Sequence, residues 1–457
     1  MVHAVLNKNE GGYGELLSVA YPLILSTASH TIMQFINRVF LAHYSPAALA
    51  ACVPAGILSF TLLCFFLGTA TYTNAFVSQY YGRGKQASVS VAVWQGVWVA
   101  LASGLLLLLL GPLGLYIIDH SGHEAAVRAL ERPYFTILNS FAGFPVLNTA
   151  LAAFFIGRGK TKVAMRVTIA GNALCVLLSW VLIFGVGPFP ELGIRGAGFA
   201  SAAGQMLITA IYLRLIFSAY NRRRYRTSRL VGVHKAMFAR LIKYGAPSGA
   251  GFFLDVASFG AFIFIIGGID KVSLAASNII VSINMLVFMP VIGLGLATLT
   301  LAGKYIGMKK PDVSMRVTYN AARLAGIYAL VFGLLFIAAP GFFINIFGSG
   351  HTAEYAEILA LSRPLMKILA VFIFFDTVSI VFSDALRGAG DTRFQMIGAS
   401  AAAWLLFVPG AWYILHRAGG DLEHAWAWGS FHVFLLSLFF LLRFRSGLWR
   451  RIDILKN

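Results

Sequence analysis

The feature that decides the fold is a stretch of sequence that occurs twice, at positions 22–85 and again at 247–310. The two copies align without a gap, and their identities punctuate the same hydrophobic profile at the same places. The paired residues are Pro22 with Pro247, Leu49-Ala50-Ala51 with Leu274-Ala275-Ala276, Gly68 with Gly293, Tyr80 with Tyr305, Gly82 with Gly307, and Lys85 with Lys310. A duplicated membrane half of this kind is the usual build of a transporter.

The composition identifies an integral membrane protein. Of the 457 residues, 59% are hydrophobic and 12% are charged, whereas a soluble domain carries about 25% charged residues. Apolar stretches long enough to cross a bilayer, about 20 residues or more, recur along the whole chain, and we count twelve of them. A membrane β-barrel would show short alternating segments instead. The sequence therefore predicts an all-α integral membrane protein with twelve transmembrane helices.

The net charge of +19 follows the topology of these helices. Most Lys and Arg residues, including the runs at 222–229 and 443–456, fall on the side that holds both termini. Such a bias predicts that both termini are cytoplasmic. The protein would be a multi-pass protein of the cell (inner) membrane whose basic surface contacts anionic lipid. We expect no nucleic-acid partner.

The repeat also predicts the domain organisation. Six helices per copy is an even number, so both copies enter the membrane in the same direction and form two parallel six-helix bundles. The predicted division is an N-terminal lobe at 1–218, a basic cytoplasmic linker at 219–238 and a C-terminal lobe at 239–457. Three cysteines, all within apolar stretches, have no metal-ligand spacing and are expected to pack in the core.

Two carboxylates are the strongest candidates for chemistry. Asp255 and Asp376 lie deep in apolar stretches of the second half, and an ionisable group inside a spanning helix is expensive and usually functional. Two carboxylates that line one cavity could bind Na⁺ or exchange protons. The alternative is a pair of acids that bond to nearby hydroxyl or backbone groups. We expect both residues to couple transport to a cation.

The first half has a different set of polar residues. His30 stands at the position that matches Asp255, and Asn37 is followed by Arg38. Arg38 could extend toward the outer surface along its apolar stem, or it could face a central cavity, and the sequence favours neither placement. The candidate substrate-cavity residues are His30, Asn37, Arg38, Asn284 and Phe372.

The sequence contains no constellation typical of an enzyme. No serine has nucleophile-elbow spacing, and no phosphate-binding Walker loop is present, so ATP is not expected to drive transport directly. The pair His120 and His123 has few partners for a metal and is expected to be solvated loop sequence. We therefore predict a secondary transporter without a cofactor or a bound metal, other than a coupling ion.

Several motifs carry a family resemblance along nearly the whole chain. They include Ser45-Pro-Ala-Ala-Leu-Ala-Ala51, Tyr81-Gly-Arg-Gly-Lys85, Gly157-Arg-Gly-Lys-Thr161, Gly196-Ala-Gly-Phe-Ala-Ser201 and Ala385-Leu-Arg-Gly-Ala-Gly-Asp-Thr392. In their order and spacing the chain resembles the multidrug and toxic compound extrusion (MATE) family. The resemblance implies a secondary antiporter with two six-helix lobes in a V around a central cavity. Such a protein exchanges Na⁺ or H⁺ for cationic, amphipathic drugs.

The second lobe resembles the NorM-type branch in particular. That branch carries an acid eight positions after the proline that opens the seventh helix, as Asp255 follows Pro247, and an Asp eleven positions before an Arg-Gly pair, as Asp376 precedes Arg387. The resemblance implies that the coupling site lies in the second lobe.

The first lobe departs from the family pattern. Many members carry an Asp fifteen positions after the first proline, where this chain has Asn37, and the fifth-helix acid of the pattern is replaced by Ser179. An acid-based proton site is therefore not expected in the first lobe. If Arg38 faces the cavity, its charge weakens the expectation of a strongly cationic substrate.

Two other functions remain as alternatives. A flippase for lipid-linked oligosaccharides, from the same superfamily, often has fourteen helices and a more basic cavity, so the helix count argues against it and Arg38 argues for it. A major-facilitator transporter would carry an acid in the loop at Gly82-Arg-Gly-Lys85, which has none. We expect a monomer that moves small molecules. The sequence leaves open the choice between Na⁺ and H⁺, the stoichiometry and the substrate.

Overall fold

The structure, a computed structural model, describes residues 10–228, 232–347 and 353–456. Within these ranges the regular structure is entirely helical, and twelve helices are long and apolar enough to cross a membrane. The predicted all-α class and the count of twelve spans are confirmed. Positions 1–9 of the predicted N-terminal lobe and 229–231 of the predicted linker, including Arg229, lie outside the described residues.

The first repeat forms nine helices, which make six spans and a short helix after the sixth span. These helices are α1 (Tyr13–Tyr44), α2 (Pro46–Thr71), α3 (Thr73–Gly82), α4 (Gln86–Asp119), α5 (Ala125–Ser140), α6 (Gly143–Ile156), α7 (Thr161–Phe184), α8 (Ile194–Ile216) and α9 (Ala219–Tyr225). The second and fourth spans are each built from two consecutive helices, α2 with α3 and α5 with α6.

The second repeat follows the same plan. Its helices are α10 (Lys235–Gly267), α11 (Lys271–Gly307), α12 (Pro311–Ala338), α13 (Pro340–Ile344), α14 (Ala353–Ala389), α15 (Thr392–Ala401), α16 (Val408–His416) and α17 (Leu422–Arg445). A turn of π-helix, Ala402–Phe407, joins α15 to α16, so these two helices form one span.

The helices pack into two compact units whose boundaries differ from the divisions of the repeat. The C-terminal unit contains Met1–Ile24, Gly251–Ile306 and Lys310–Asp453, and the N-terminal unit contains Leu25–Ala250 with the short pieces Gly307–Lys309 and Ile454–Asn457. The beginning of α1 therefore packs with the second repeat, and the beginning of α10 packs with the first. The divisions 1–218, 219–238 and 239–457 remain a prediction about the sequence repeat. In the packing, the two repeats exchange the first segments of α1 and α10.

A proline precedes each of these changeovers. Pro22 lies inside α1 just before the boundary at Ile24, and Pro247 lies inside α10 just before the boundary at Ala250. Proline removes one backbone hydrogen bond and bends a helix. The two matching prolines of the repeat thus supply a local bend where each helix passes from one unit to the other.

Polar contacts fix the beginning of α1 within the C-terminal unit. The Glu15 carboxylate accepts hydrogen bonds from Lys304 Nζ at 2.7 Å, from the Tyr305 hydroxyl at 2.5 Å and from the Gly11 backbone N–H at 2.9 Å. Asn320 Nδ2 donates to the Gly11 carbonyl oxygen at 2.9 Å. One carboxylate therefore holds α1 against α11, and an amide holds it against α12.

Close packing of α1 continues above this anchor. A Cβ added at Gly293 of α11 would lie only 2.8 Å from the Cα and the backbone nitrogen of Ile24. Because backbone atoms cannot move aside as a flexible side chain can, only glycine allows the two helices to approach this closely.

We predict that Glu15→Gln lowers the thermal stability of the protein in detergent micelles. The substitution removes the ion pair with Lys304, and a hydrogen bond to a charged group contributes about 1.5–3 kcal/mol. A fall in Tm of a few degrees is expected, measured by a thermal-shift assay. Glu423→Gln, at an exposed position in the first turn of α17, is the control and should leave Tm unchanged. Equal Tm values for both variants would contradict the anchoring role of Glu15.

Candidate functional site

The two predicted coupling residues belong to the same compact unit. Asp255 lies in the middle of α10 and Asp376 in the middle of α14, both within the C-terminal unit. Asp255 is exposed. Asp376 is half-buried, and its neighbours Ile373 and Thr377 on the same helix are buried. The charges of the two carboxylates act on each other. The structure therefore places both acids in one helix bundle.

Further oxygen atoms in this unit lack protein partners. Asn284 Oδ1 on α11 and, on α15, Gln395 Oε1 and Ser400 Oγ are buried and have no hydrogen-bond partner among the described residues. Gln395 Oε1 lies against Gly251, where an added Cβ would be 3.5 Å away, one helical turn before Asp255. Buried polar atoms usually have a partner, and carboxylate, amide and hydroxyl oxygens are the donors that hard cations prefer.

A multi-ligand transition-metal site is a poor description of this unit. Among the described residues, no group of three or more His, Cys, Asp or Glu side chains could hold a metal ion. Two carboxylates supplemented by neutral oxygens suit a proton or a monovalent cation such as Na⁺.

A turn of π-helix lies close to Asp255. The Trp404 indole in this turn donates to the carbonyl oxygen of Leu254 at 3.1 Å, directly before Asp255 in the chain. At the end of this turn, the Trp428 indole donates to the Phe407 carbonyl oxygen at 3.2 Å. Backbone hydrogen bonds in a π-helix join residues five apart instead of four, which changes the pairing of its carbonyl groups. Such π-helical turns are frequent at functional sites. Our sequence analysis missed both tryptophans, since a π-turn has no signature in hydrophobic periodicity.

Two acids at the junction of α14 and α15 in the C-terminal unit form ion pairs. Asp384 Oδ1 pairs with Arg387 at 2.7 Å, and Asp391 Oδ2 pairs with Arg443 at 2.7 Å. The Asp384 carboxylate also packs on Gly295 of α11 so closely that an added Cβ would overlap it. These contacts give both carboxylates partners within the protein.

The N-terminal unit contains a neutral polar pocket of about 250 Å³. The lining residues are His30, Leu67, Pro145, Asn148, Thr149, Ala152, Thr168, Asn172, Gln205, Ile208 and Tyr212. None of them is acidic. Asn148 is held by Gln205 Oε1 at 2.8 Å and by the Thr209 hydroxyl at 2.7 Å. The signal that identified the aspartates, a polar residue within an apolar span, would also have found Asn148 and Gln205.

The predicted substrate-cavity residues divide between the two units. His30 lines the pocket, and its Nε2 lies 3.0 Å from the Gln34 amide nitrogen. Asn37 Nδ2 contacts Cys175 Sγ at 3.6 Å. Arg38 is exposed and has no ion pair among the described residues. These three belong to the N-terminal unit.

The other two predicted residues lie in the C-terminal unit. Asn284 is half-buried on α11, and Phe372 on α14 packs against the core cluster that contains Phe262 and Trp426. The structure therefore brings Asn284 and Phe372 into the same unit as the two aspartates, and it groups His30, Asn37 and Arg38 apart from them.

A buried histidine also escaped the sequence analysis. His432 of α17 is 8% exposed, its ring stacks on Phe407 with centroids 4.9 Å apart, and its Nε2 has no partner among the described residues. Stacking on an aromatic ring indicates a packing role for His432.

The cysteines Cys52, Cys64 and Cys175 are buried and form no disulfide with one another. They pack in the core, as the sequence predicted.

Twelve membrane-length helices in a duplicated sequence, with ionisable residues inside the spans, define a multi-pass membrane protein of the transporter class. Comparison with known families makes the identification specific. The chain belongs to the MatE family, whose family model matches residues 22–181 and 247–413. The two matched segments correspond to the two copies of the repeat, and the resemblance found in the sequence motifs is confirmed.

Relatives that are named as multidrug resistance proteins align with most of the chain. A probable multidrug resistance protein NorM of Thermotoga maritima is 26% identical over 448 residues, which cover 96% of this chain and 94% of the relative. The multidrug resistance protein PmpM of Pseudomonas aeruginosa is 27% identical over 410 residues, which cover 86% of this chain and 82% of the relative.

Solved structures confirm the fold. An outward-facing multidrug resistance MATE family transporter of the MOP superfamily matches with a TM-score of 0.85 at 16% identity. The eukaryotic MATE transporter AtDTX14 matches with a TM-score of 0.83 at 18% identity. Each similarity covers 96% of both chains.

We predict that Asp384→Asn destabilises the protein. Removal of one partner from a largely buried ion pair leaves the Arg387 guanidinium without this carboxylate, at a cost of about 3 kcal/mol. Thermal unfolding in detergent should show a Tm several degrees below that of the parent. Asp312→Asn is the matched control, because its carboxylate is 70% exposed and lies 3.3 Å from Arg450. If both variants unfold at the same temperature, the Asp384 ion pair does not stabilise the cytoplasmic end of α14.

Proposed function

We propose that the protein is a secondary active multidrug efflux antiporter, which exchanges Na⁺ or H⁺ for amphipathic organic compounds by alternating access. The observation that carries this proposal is the pair Asp255 and Asp376 within membrane-spanning helices of one compact unit. Membership of the MatE family and the names of the relatives, multidrug resistance proteins, support efflux as the direction of transport.

The two aspartates are proposed to bind the coupling ion. A carboxylate inside the membrane is costly while it carries an uncompensated charge, and two like charges that act on each other raise that cost. A bound proton or Na⁺ relieves both penalties. The unpartnered oxygens of Asn284, Gln395 and Ser400 are further donors in the same unit. No cofactor is required in this scheme.

Exchange follows if the ion and the substrate favour different conformations. A ligand shifts a conformational equilibrium only by the difference between its affinities for the two states. We propose that ion binding at Asp255 and Asp376 favours one state and that substrate binding favours the other. The protein would act as a monomer in the cell (inner) membrane with both termini cytoplasmic, and the family resemblance leads us to expect substrates with a cationic group.

One observation favours a second candidate function. Arg38 is an exposed cation within a spanning helix, which suits a flippase for an anionic, lipid-linked oligosaccharide. An efflux assay against a drug panel, compared with growth rescue of an envelope-defective strain, separates the two functions. The antiporter proposal requires efflux without rescue.

We predict that Asp255→Asn and Asp376→Asn each abolish ion-driven efflux. Asparagine keeps the size of the side chain but removes the charge and the titratable group. Purified variants in proteoliposomes should show less than about a tenth of the parent rate of dye transport, the loss expected from about 1.4 kcal/mol or more of lost ion binding.

Asp312→Asn provides the control for these two variants. It makes the same chemical change at an exposed cytoplasmic position, and its transport rate should equal that of the parent. Full ion coupling in both Asp255→Asn and Asp376→Asn would show that the coupling site lies elsewhere.

The choice of coupling ion is tested with imposed gradients. Proteoliposomes that contain the parent protein are given either a Na⁺ gradient at equal pH or a pH gradient without Na⁺, and dye transport is recorded. We expect one gradient to drive transport and to lose its effect in Asp376→Asn. Equal transport with neither gradient imposed would contradict secondary antiport.

A further inference from the structure

A row of polar side chains follows one face of α1 in the N-terminal unit. His30, Gln34 and Arg38 are spaced by four residues, and His30 and Gln34 are in contact at 3.0 Å. Positions four apart lie one above the other on a helix. From His30 to Arg38 the row extends about 12 Å along the axis, at about 1.5 Å per residue.

The row lies at the edge of the packed face of α1. Leu41 lies two turns beyond Gln34 on the same face and is 0% exposed, whereas Ile32 on the opposite face is 58% exposed. Gln34 and Arg38 are nevertheless exposed. Phe35, three positions before Arg38, is 67% exposed, so the row follows the border between the packed and the exposed sides of α1, where Gln34 and Arg38 are accessible to a ligand.

The neighbours of Arg38 belong to other helices of the N-terminal unit. Its charge acts on Cys52 of α2 and Tyr134 of α5, both of which are buried. At the other end of the row, His30 opens into the amide-lined pocket with Asn148 and Gln205. The row therefore connects a guanidinium to a pocket that can hold a small molecule.

No carboxylate balances Arg38 inside this unit. The acids within residues 25–250 are Asp119, Glu124, Glu131 and Glu191. Asp119 pairs with Arg132 at 2.7 Å and Glu131 with His123 at 2.8 Å, and Glu124 and Glu191 precede α5 and α8 in connecting segments. The spans α1, α2, α7 and α8 contribute none within these residues. An arginine stays charged under all physiological conditions, so its counter-ion must come from outside this unit.

We propose that the N-terminal unit binds the anionic end of an amphipathic substrate, with a carboxylate paired to Arg38 and the body of the molecule in the pocket beside His30. A guanidinium binds a carboxylate through two parallel hydrogen bonds. The amides of Asn148, Asn172 and Gln205 offer neutral donors and acceptors to the other end. The inference rests on the proposed efflux function and narrows its substrates to zwitterionic compounds about 12 Å long, which also carry the expected cationic group.

The test compares a rhodamine that carries a free carboxylate with the methyl ester of the same dye. Both are measured in ion-driven transport by proteoliposomes and in equilibrium binding to the detergent-solubilised protein by fluorescence anisotropy. The parent should prefer the acid. Arg38→Gln should raise the KM and the Kd of the acid about tenfold, the effect of one lost charge-assisted contact, and leave both constants of the ester unchanged.

Two further variants make the result specific. Arg38→Lys keeps the charge without the paired geometry and should restore part of the preference for the acid. Arg195→Gln makes the same change at an exposed position in the first turn of α8 and should affect neither dye. Normal handling of the ester shows that each variant is folded.

The outcomes separate this inference from the proposed function. Unchanged constants for the acid in Arg38→Gln, or an equal loss for both dyes, would overturn the anion site while efflux itself stands. If the parent transports neither dye but still binds the acid more tightly than the ester, and Arg38→Gln removes that difference, the site stands and the proposed efflux function fails.

Discussion

A charged side chain inside a bilayer costs several kcal/mol unless a partner, water or a ligand compensates it, and the rest of this structure depends on that constraint. The chain responds to it in three ways. It collects most cations on the side that is predicted to be cytoplasmic, it pairs Asp384 with Arg387 at the helix end, and it leaves a few charges inside the spans. Only the last group is free to respond to a transported ion or molecule. The charges that remain inside the spans are therefore the candidates for a functional role.

The two compact units divide these charges by sign. The C-terminal unit contains Asp255 and Asp376, with unpartnered oxygens on the helices that follow. The N-terminal unit has Arg38 and a neutral, amide-lined pocket instead. A duplicated fold can diverge in this way because the apolar residues that specify helix packing are separate from the few polar residues that specify ligands. Under our proposals, the same architecture offers one bundle for the coupling cation and another for the acid group of a substrate.

Much of this could be predicted from the sequence because its signals are local. Apolar length identified the twelve spans, and isolated acids in apolar stretches identified Asp255 and Asp376. The exchange of helix segments could not be predicted, because Pro22 and Pro247 mark a bend without saying which helices pack beyond it. The contribution of Trp404 was hidden for a similar reason: its hydrogen bond to the Leu254 carbonyl depends on a π-turn, which leaves no periodic pattern. The placement of Arg38 at the edge of the packed face of α1 required the exposed fractions of Leu41 and Ile32, which are 0% and 58%.

The exchange of helix segments also has a consequence for how the protein is made. The beginning of α1 leaves the ribosome first, but Lys304 and Tyr305, which bind Glu15, follow 289 and 290 residues later. During most of synthesis this segment has no partner for its carboxylate. Insertion of the first repeat cannot complete either bundle, because the N-terminal unit still lacks the start of α10. The two halves of this chain arose as repeats, yet each is now an obligatory part of the other's folding.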